Sequence, residues 1–361
     1  MGSFVVQHDV ALARLSTLEL GGSARYFAEI TDEVALFEAL TWAQVQGVAV
    51  ALIAGGSNVI VPDEGFDGLV MHMATRGERV DLSDHLQDKV RVTVAAGEVW
   101  DDFVARCVAR GWAGIECLSG IPGSVGATPI QNVGAYGQEV SQRITELRVW
   151  SPSEQIIKQI DASACEFAYR DSALKRGVLA GCIVLSVTFE LTRDGAPTVR
   201  YAELAQALAA RGLSEPTLAD VRALVISLRQ SKSMVIREDD PNRRSVGSFF
   251  TNPIVSPEKA AQVSMRALSR GLATTERPMP QWLAAQEQVK LSAAWLIERA
   301  GCARGERVGS MGLSSKHTLA IVHHGGGSTA ELLAFASTVV SRVSDAWGIE
   351  LDREPVLLRA L

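Results

Sequence analysis

Hydrophobic positions near the start of the chain switch between two periods. Val34, Phe37, Leu40 and Ala43 recur every three to four residues, which predicts a helix with Thr31 as its N-cap, Asp32 and Glu33 in its first turn, and a stop near Gln46-Gly47. The unbroken run VAVALIA then stops at AGGSN, the pattern of a buried strand running into a tight loop. Between 69 and 97 the period drops to two: LVMHM is followed by Val90, Val92 and Val94 alternating with polar partners, which predicts β structure. A helix is expected next, from Val99 to Arg110.

There the periodicity ends. From Gly120 to Gly137 the chain reads GIPGSVGATPIQNVGAYG, too irregular for a helix and too apolar for a linker, and long loops of this kind usually carry function. Strands resume at Leu147 to Ser151 and Ile183 to Leu191. A helix at 217 to 229 opens with Thr217 and Asp220 in capping-box spacing and carries Val221, Leu224, Val225 and Leu228 on one face. The polar run IREDDPNRRS, 236 to 245, interrupts the pattern again. Beyond it the sequence predicts a strand FFTNPIV, a helix from Ser256-Pro257, a helix LSAAWLIERA stopped by Gly301, a strand LAIVHH, and a long helix after Ser328 with Glu331 completing a second capping box. That is the order of an α+β unit.

At 361 residues the chain exceeds one ordinary core, so two or three packed units are expected. A content of 47% hydrophobic and 21% charged residues fits globular folding and excludes the disordered and fibrous classes. The net charge of -6, with no basic run interleaved with aromatics, argues against a nucleic-acid partner. Cys107, Cys117, Cys165, Cys182 and Cys302 form no CxxC pair and read as reduced thiols. MGSFVVQHDV lacks the basic and apolar pattern of a signal sequence, and the longest apolar run, Val48 to Ala54, is far below the ~18 residues of a membrane span. The expectation is a cytoplasmic monomer with no membrane partner.

Several motifs invite chemistry, each with a plainer alternative. GxGxxG and GKS or GKT phosphate loops are absent. Gly325-Gly326-Gly327-Ser328 lies between a strand and a helix, as an anion site or a loop with its cap. AGGSN, 54 to 58, frees backbone amides for an anion or simply turns the chain. Together with the second glycine-rich stretch it suits a long ligand with a pyrophosphate centre and a flat ring. Arg170 in YRDS is a functional fork or the partner of Asp171. Glu354 is a functional acid or an exposed strand-end carboxylate. Ser248 in SVGSFFTNP is a positioned hydroxyl or part of an ordinary strand. His317, His323 and His324 have no acid at ligand spacing, so no metal is expected.

In order along the chain, LSTLELGGSARYF at 15 to 27, AGGSN, IPGSVGATPIQNVGAYG, AYRDS, GSFFTNP, LSAAWLIERAG and the terminal Glu354 resemble the UDP-N-acetylenolpyruvoylglucosamine reductase (UDP-N-acetylmuramate dehydrogenase) family. The resemblance runs through nearly the whole chain. Tyr201 in VRYAEL looks like the substrate-clamping tyrosine of the longer subclass. Two features depart from the family pattern: Ala54 stands where glycine is common, and Arg353-Glu354-Pro355 replaces the usual Pro-Glu.

The resemblance implies an α+β protein with an FAD-binding domain of the vanillyl-alcohol-oxidase (PCMH) type and a smaller C-terminal substrate domain. Its parts would be 1–66 joined by 348–361, 67–230, and the substrate domain 231–347. The implied reaction uses NADPH to reduce tightly bound FAD, which passes hydride to UDP-N-acetylglucosamine enolpyruvate and yields UDP-N-acetylmuramate for peptidoglycan precursors. Around the cofactor the resemblance puts Ala54, Gly55, Gly56, Ser57 and Asn58 on one loop. On the other it puts Gly120, Ile121, Pro122, Gly123, Ser124, Gly126 and Ala127, followed by Asn132, Gly134, Ala135 and Tyr136. Ser248 would give the proton, Arg170 would stabilise the enolate-like charge, and a protonated Glu354 would donate a second hydrogen bond. Tyr201, Lys232, Asn252 and Arg304 would touch substrate, with Lys232 and Arg304 toward the diphosphate. Two other readings remain at this point: another FAD-dependent oxidoreductase of the same superfamily, or an inactive flavin or nucleotide-sugar binder.

Overall fold

A computed structural model describes residues 4–83, 86–177, 179 and 181–361. Near the N-terminus, β1 (Gln7–Ala11), β2 (Ser23–Ile30), β3 (Ala49–Ile53) and β5 (Phe66–Met73) form a sheet in the order β1-β2-β5-β3. β5 runs parallel to both its neighbours, so β2 and β3 need a crossover, which is α1 (Glu33–Gln46). The N-cap of α1 is Asp32 and not Thr31: its backbone is extended and its Oδ1 accepts from the Ala35 amide at 2.8 Å. The buried face is likewise rotated from the expected stripe, with Leu36, Ala39 and Ala43 inward and Val34 exposed. Phe37 turns aside to meet Trp150 edge-on at 4.9 Å.

An antiparallel sheet follows in the order β12-β11-β13-β7-β6, built from β6 (Glu78–Asp81), β7 (Lys89–Ala95), β11 (Ile144–Ser151), β12 (Ile156–Asp161) and β13 (Ile183–Arg193). The far end of β13 also pairs with β8 (Trp112–Ala113). Alternation along β7 buries Val90, Val92 and Val94 against α2 (Trp100–Ala109), whose Trp100 and Phe103 close on Phe189 at 5.8 and 5.2 Å. Within the glycine-rich stretch the only strand described is β9 (Gly134–Ala135), which forms a short hairpin with β10 (Gln138–Glu139) just beyond it. After α3 (Ala173–Arg176), α4 (Ala202–Ala210) and α5 (Leu218–Ser231) pack together around Leu204, Leu208, Val221, Leu224 and Val225, and the Thr217–Asp220 capping box opens α5 as its sequence predicts.

The C-terminal part holds two three-stranded sheets. One contains β14 (Ile254–Val255), β15 (Gln281–Leu283) and β16 (Val289–Leu291); the other contains β17 (Arg307–Val308), β18 (Met311–Leu313) and β19 (Ile321–His323). They share a core with α6 (Pro257–Ser269), α7 (Ala293–Arg299) and α8 (Thr329–Trp347), where Phe249, Phe250 and Trp347 are buried. FFTNPIV is not one strand. Phe250 makes an isolated bridge to Arg353, and pairing resumes only at Ile254, since Pro253 has no N–H to offer a ladder. Past α8, β20 (Val356–Leu357) runs back to pair in parallel with β4 (Val59–Ile60). The tail thereby brings residue 354 to the loop that precedes β4. β5 begins at Phe66 and belongs to the first sheet, so the expected edge at residue 66 falls at its first residue. Among the described residues no helix is long and apolar enough to cross a membrane.

Candidate active site

The two glycine-rich loops face each other across a cleft of about 380 Å³. Ser57 Oγ donates to the Pro122 carbonyl at 3.2 Å and Asn58 Nδ2 to Gln131 Oε1 at 2.8 Å, so these side chains fasten one loop to the other. Backbone lines much of the gap. A Cβ on Gly55 would stand 2.7 Å from the Gly123 Cα, and Gly123 itself has φ +116°, so both positions require glycine. Ser124, at the wall, keeps a buried Oγ with no hydrogen-bond partner among the described residues. A long cofactor with polar atoms fits here: glycine backbone lets it approach, and an orphaned hydroxyl awaits a partner. Ala54, Gly55, Gly56, Ser57 and Asn58 line the cleft, as do Ile121, Pro122, Gly123, Ser124, Gly126, Ala127 and Gly134.

Arg170, Ser248 and Glu354 reach the same cleft from three separated parts of the chain. Ala168 and Asp171 pair through both backbone bonds, at 3.0 and 3.2 Å, putting Tyr169 and Arg170 at the tip of a tight turn. Arg170 sits there at φ +53°, a left-handed conformation costing ~1 to 2 kcal/mol for a residue with a Cβ. The turn is held by the arginine's own side chain, which donates from Nη1 to the Asn132 carbonyl at 3.3 Å and from Nη2 to the Gly134 carbonyl at 2.6 Å. Asp171 is not its partner. Asp171 pairs with Arg176 at 2.9 Å, whereas Arg170 Nε meets Glu354 Oε1 at 3.2 Å.

Glu354 is not an exposed strand-end acid either. Its side chain is 12% exposed, and burial pushes its carboxyl above the ordinary range, against the pull of Arg170 and Lys175. A raised carboxyl keeps its proton to a higher pH than an ordinary one. Ser248 is half-buried beside it, following Gly247 and preceding the buried Phe249. The site thus gathers one guanidinium, one hydroxyl and one acid biased toward its neutral form.

Other expected residues lie outside the cleft wall. Gly120 gives its amide to Asp101 Oδ1 at 2.6 Å. Asn132 is buried and fully engaged, donating to Glu139 and to the Ala168 carbonyl and accepting from the Ser141 amide. Ala135 is in β9, and Tyr136 meets Tyr201 edge-on at 5.5 Å. Lys232 binds Glu203 at 2.6 Å and lies 5.8 Å from the Tyr136 ring. Arg304 pairs with Glu298 at 2.8 Å. Lys232 and Arg304 both depress His317, whose burial is the larger cause and whose pKa falls to about 4. Asn252 accepts from the Ala293 amide at the start of α7, and its own amide donates to Tyr169 Oη at 3.4 Å.

Sequence reasoning missed two groups at this site. The Tyr169 ring is flanked by Arg170 at 5.3 Å and Lys290 at 4.4 Å, and adjacency to Arg170 was the only signal for it. Arg229 lines the cleft itself, and nothing local distinguishes it from any arginine at the end of a helix.

Comparison with known proteins agrees with this geometry. Residues 24–159 match the model of an FAD binding domain, and residues 239–358 match that of the UDP-N-acetylenolpyruvoylglucosamine reductase C-terminal domain. A relative from Thermobifida fusca named UDP-N-acetylenolpyruvoylglucosamine reductase is 44% identical over 353 residues, covering 97% of both chains. The chain belongs to the UDP-N-acetylenolpyruvoylglucosamine reductase family. A Streptomyces coelicolor relative of the same name is 43% identical and covers 97% of this chain and 89% of its own. The crystal structure of the reductase from Thermus caldophilus, 22% identical, superimposes with a TM-score of 0.65 over 99% of this chain and 100% of the other, showing the same fold. An FAD-binding domain of the PCMH type is therefore joined to the C-terminal α+β domain of this reductase family. The first matched segment supplies both glycine loops and the second supplies Ser248 and Glu354, while Arg170 and Arg229 fall between them.

Proposed function

We propose that the chain reduces UDP-N-acetylglucosamine enolpyruvate to UDP-N-acetylmuramate with NADPH as reductant and FAD as cofactor, a step in peptidoglycan precursor synthesis. The observation that carries this reading is the convergence of Arg170, Ser248 and Glu354 on the glycine-walled cleft of a family member. When bound, FAD would supply the hydride, taken from NADPH. Addition of that hydride at the terminal carbon of an enol ether beside a carboxylate moves negative charge onto the carboxylate. Arg170 faces this charge with a guanidinium braced by two backbone carbonyls, and the neutral form of Glu354 adds a hydrogen bond. Ser248 delivers the proton to the adjacent carbon, a role worth about 10²- to 10⁴-fold for a positioned donor.

The finer parts of the reading are proposals of the same kind. Tyr201 acts as the clamping tyrosine of the longer subclass, supported by its position at the N-cap of α4, edge-on to Tyr136. Lys232 and Arg304 bind the diphosphate, supported by their common influence on His317, and Asn252 orients substrate, supported by its hold on the first amide of α7. The domain division 1–66 with 348–361, 67–230 and 231–347 is supported at the tail by the β20–β4 pairing, with the first boundary moved past Met73. One chain furnishes every group invoked, which supports a monomer; a cytoplasmic location and the absence of nucleic-acid or membrane partners belong to the same reading.

One anaerobic cuvette tests the whole. The purified protein is expected to be yellow, to bleach with NADPH, and to recover its colour when UDP-N-acetylglucosamine enolpyruvate is added. A colourless protein that takes up no FAD, or a bleached one indifferent to this substrate, overturns the reading.

A further inference from the structure

Arg229 lies near the end of α5, its side chain buried in the wall of the cleft. Nη2 donates to the Met234 carbonyl at 2.8 Å, and Nε is buried with no partner among the described residues. The contrast with Arg222, two turns earlier on the same face of α5, is informative. Arg222 holds Asp101 with both terminal nitrogens, at 2.6 and 2.9 Å, and Asp101 also accepts the Gly120 amide. The carboxylate that bears on Arg229 is therefore already engaged. Tyr136 and Arg170 are the other titratable groups felt by Arg229, and the second of these repels it. Burial, with a smaller push from Arg170, pulls the guanidinium down to about 10. A buried cation with an open donor and no bonded acid is costly unless a ligand completes it.

The position of Arg229 says what that ligand is. A Cβ on Gly120 would stand 3.6 Å from its Nε, so the guanidinium abuts the second glycine loop at the flavin cleft. Arg170 and Glu354 already form the pair suited to a substrate carboxylate. The remaining negative charge generated in this cleft is the flavin's own. A hydride from NADPH brings two electrons and one proton to a neutral ring, leaving NADP⁺ and a ring with one net negative charge. Building on the FAD-dependent reading above, we propose that Arg229 is a cofactor-tuning residue whose buried guanidinium stabilises the negative charge of the reduced flavin ring.

The test is electrochemical and needs no turnover. The wild-type holoenzyme, first shown to be yellow and bleached by NADPH, is titrated against a reference dye over pH 6 to 8. Stabilisation of the anion predicts uptake of one proton per two electrons, a slope of about 30 mV per pH unit; about 59 mV, for two protons, overturns the proposal. In Arg229→Met the ratio of reduced to oxidised flavin at a fixed dye potential is expected to fall at least tenfold, a shift of about 30 mV. Arg229→Lys, which keeps the charge, is expected to recover most of that loss. If Arg229→Met retains FAD with an unchanged potential, or changes only KM for the nucleotide sugar, the assignment is wrong. If it loses FAD, the wild-type slope and Arg229→Lys decide. A wild-type protein that fails to bleach refutes the enzymatic reading instead, so the two failures are distinguishable.

Discussion

The amide of Glu354 donates to the carbonyl of Phe249 at 2.9 Å. One residue away on each strand, Phe250 and Arg353 form an antiparallel bridge, and the Thr251 amide donates to the Asp352 carbonyl at 3.0 Å. The segment carrying Ser248 and the C-terminal acid, more than a hundred residues apart, are thus registered backbone to backbone. Phe249 and Phe250, buried behind them, fix this register by packing into the C-terminal core. The position of Ser248 relative to Glu354 is set by main chain and core, not by surface loops.

That rigidity makes Ser248→Ala a clean experiment. The substitution removes one hydroxyl from a half-buried site whose backbone contacts belong to its neighbours. Reduction of the flavin by NADPH is expected to proceed at nearly the wild-type rate, while reoxidation by UDP-N-acetylglucosamine enolpyruvate slows at least about a hundredfold. Stopped-flow absorbance of the two half-reactions separates these outcomes, and equal slowing of both would remove Ser248 from the protonation step.

Arg170→Lys tests whether the fork matters or only the charge. An ammonium cannot keep the contacts to the carbonyls of Asn132 and Gly134 and to Glu354 together, and the left-handed turn loses its brace. The expected result is a fall in kcat of tenfold or more with FAD still bound, since the glycine loops are untouched. Near-normal kcat would make Arg170 a structural residue of the turn.

Much of this arrangement was legible in the sequence, and the failures share a cause. Capping boxes at Thr217 and Ser328 and the alternation of Val90, Val92 and Val94 are local signals, and the structure follows them. The partner of Arg170 was not local: spacing offered Asp171, whereas the turn sends the arginine to a glutamate near the other end of the chain. Glu354 read as a strand end because its burial comes from the returning tail, which pairing within its own segment cannot reveal. The FFTNPIV pattern overstated a strand for a similar reason, as Phe250 bridges to Arg353 while Ile254 and Val255 pair with β16. Arg229 left no sequence signal, because its distinction lies in what it fails to touch.

Glu354→Gln has a pH signature. Because the folded pKa is raised, neutral Glu354 contributes stability that is fully present below the ordinary value of 4.5 and is lost as pH rises through the raised value. Tm of the wild type is therefore expected to fall relative to Glu354→Gln across that window, measured by thermal unfolding at stepped pH. The same ionisation withdraws the hydrogen bond proposed for neutral Glu354, so the wild-type rate of reoxidation by substrate should decline on the alkaline side. In Glu354→Gln that limb should be absent. A limb that persists unchanged belongs to another group.

Gly55→Ala addresses the cradle itself. The added methyl would stand 2.7 Å from the Cα of Gly123, and because the obstacle is backbone, the two loops must separate. Their fastening through Ser57 and Pro122 and through Asn58 and Gln131 lies on this seam, so separation would open the cleft proposed to grip the cofactor. The expected protein folds, since the core clusters beneath both loops are unaltered, yet retains at most about a tenth of the wild-type FAD affinity, equivalent to ~1.4 kcal/mol of lost binding. Flavin absorbance against protein absorbance after gel filtration, followed by titration with added FAD, measures this. Full retention of FAD would mean that the cofactor does not depend on the close approach of Gly55 and Gly123.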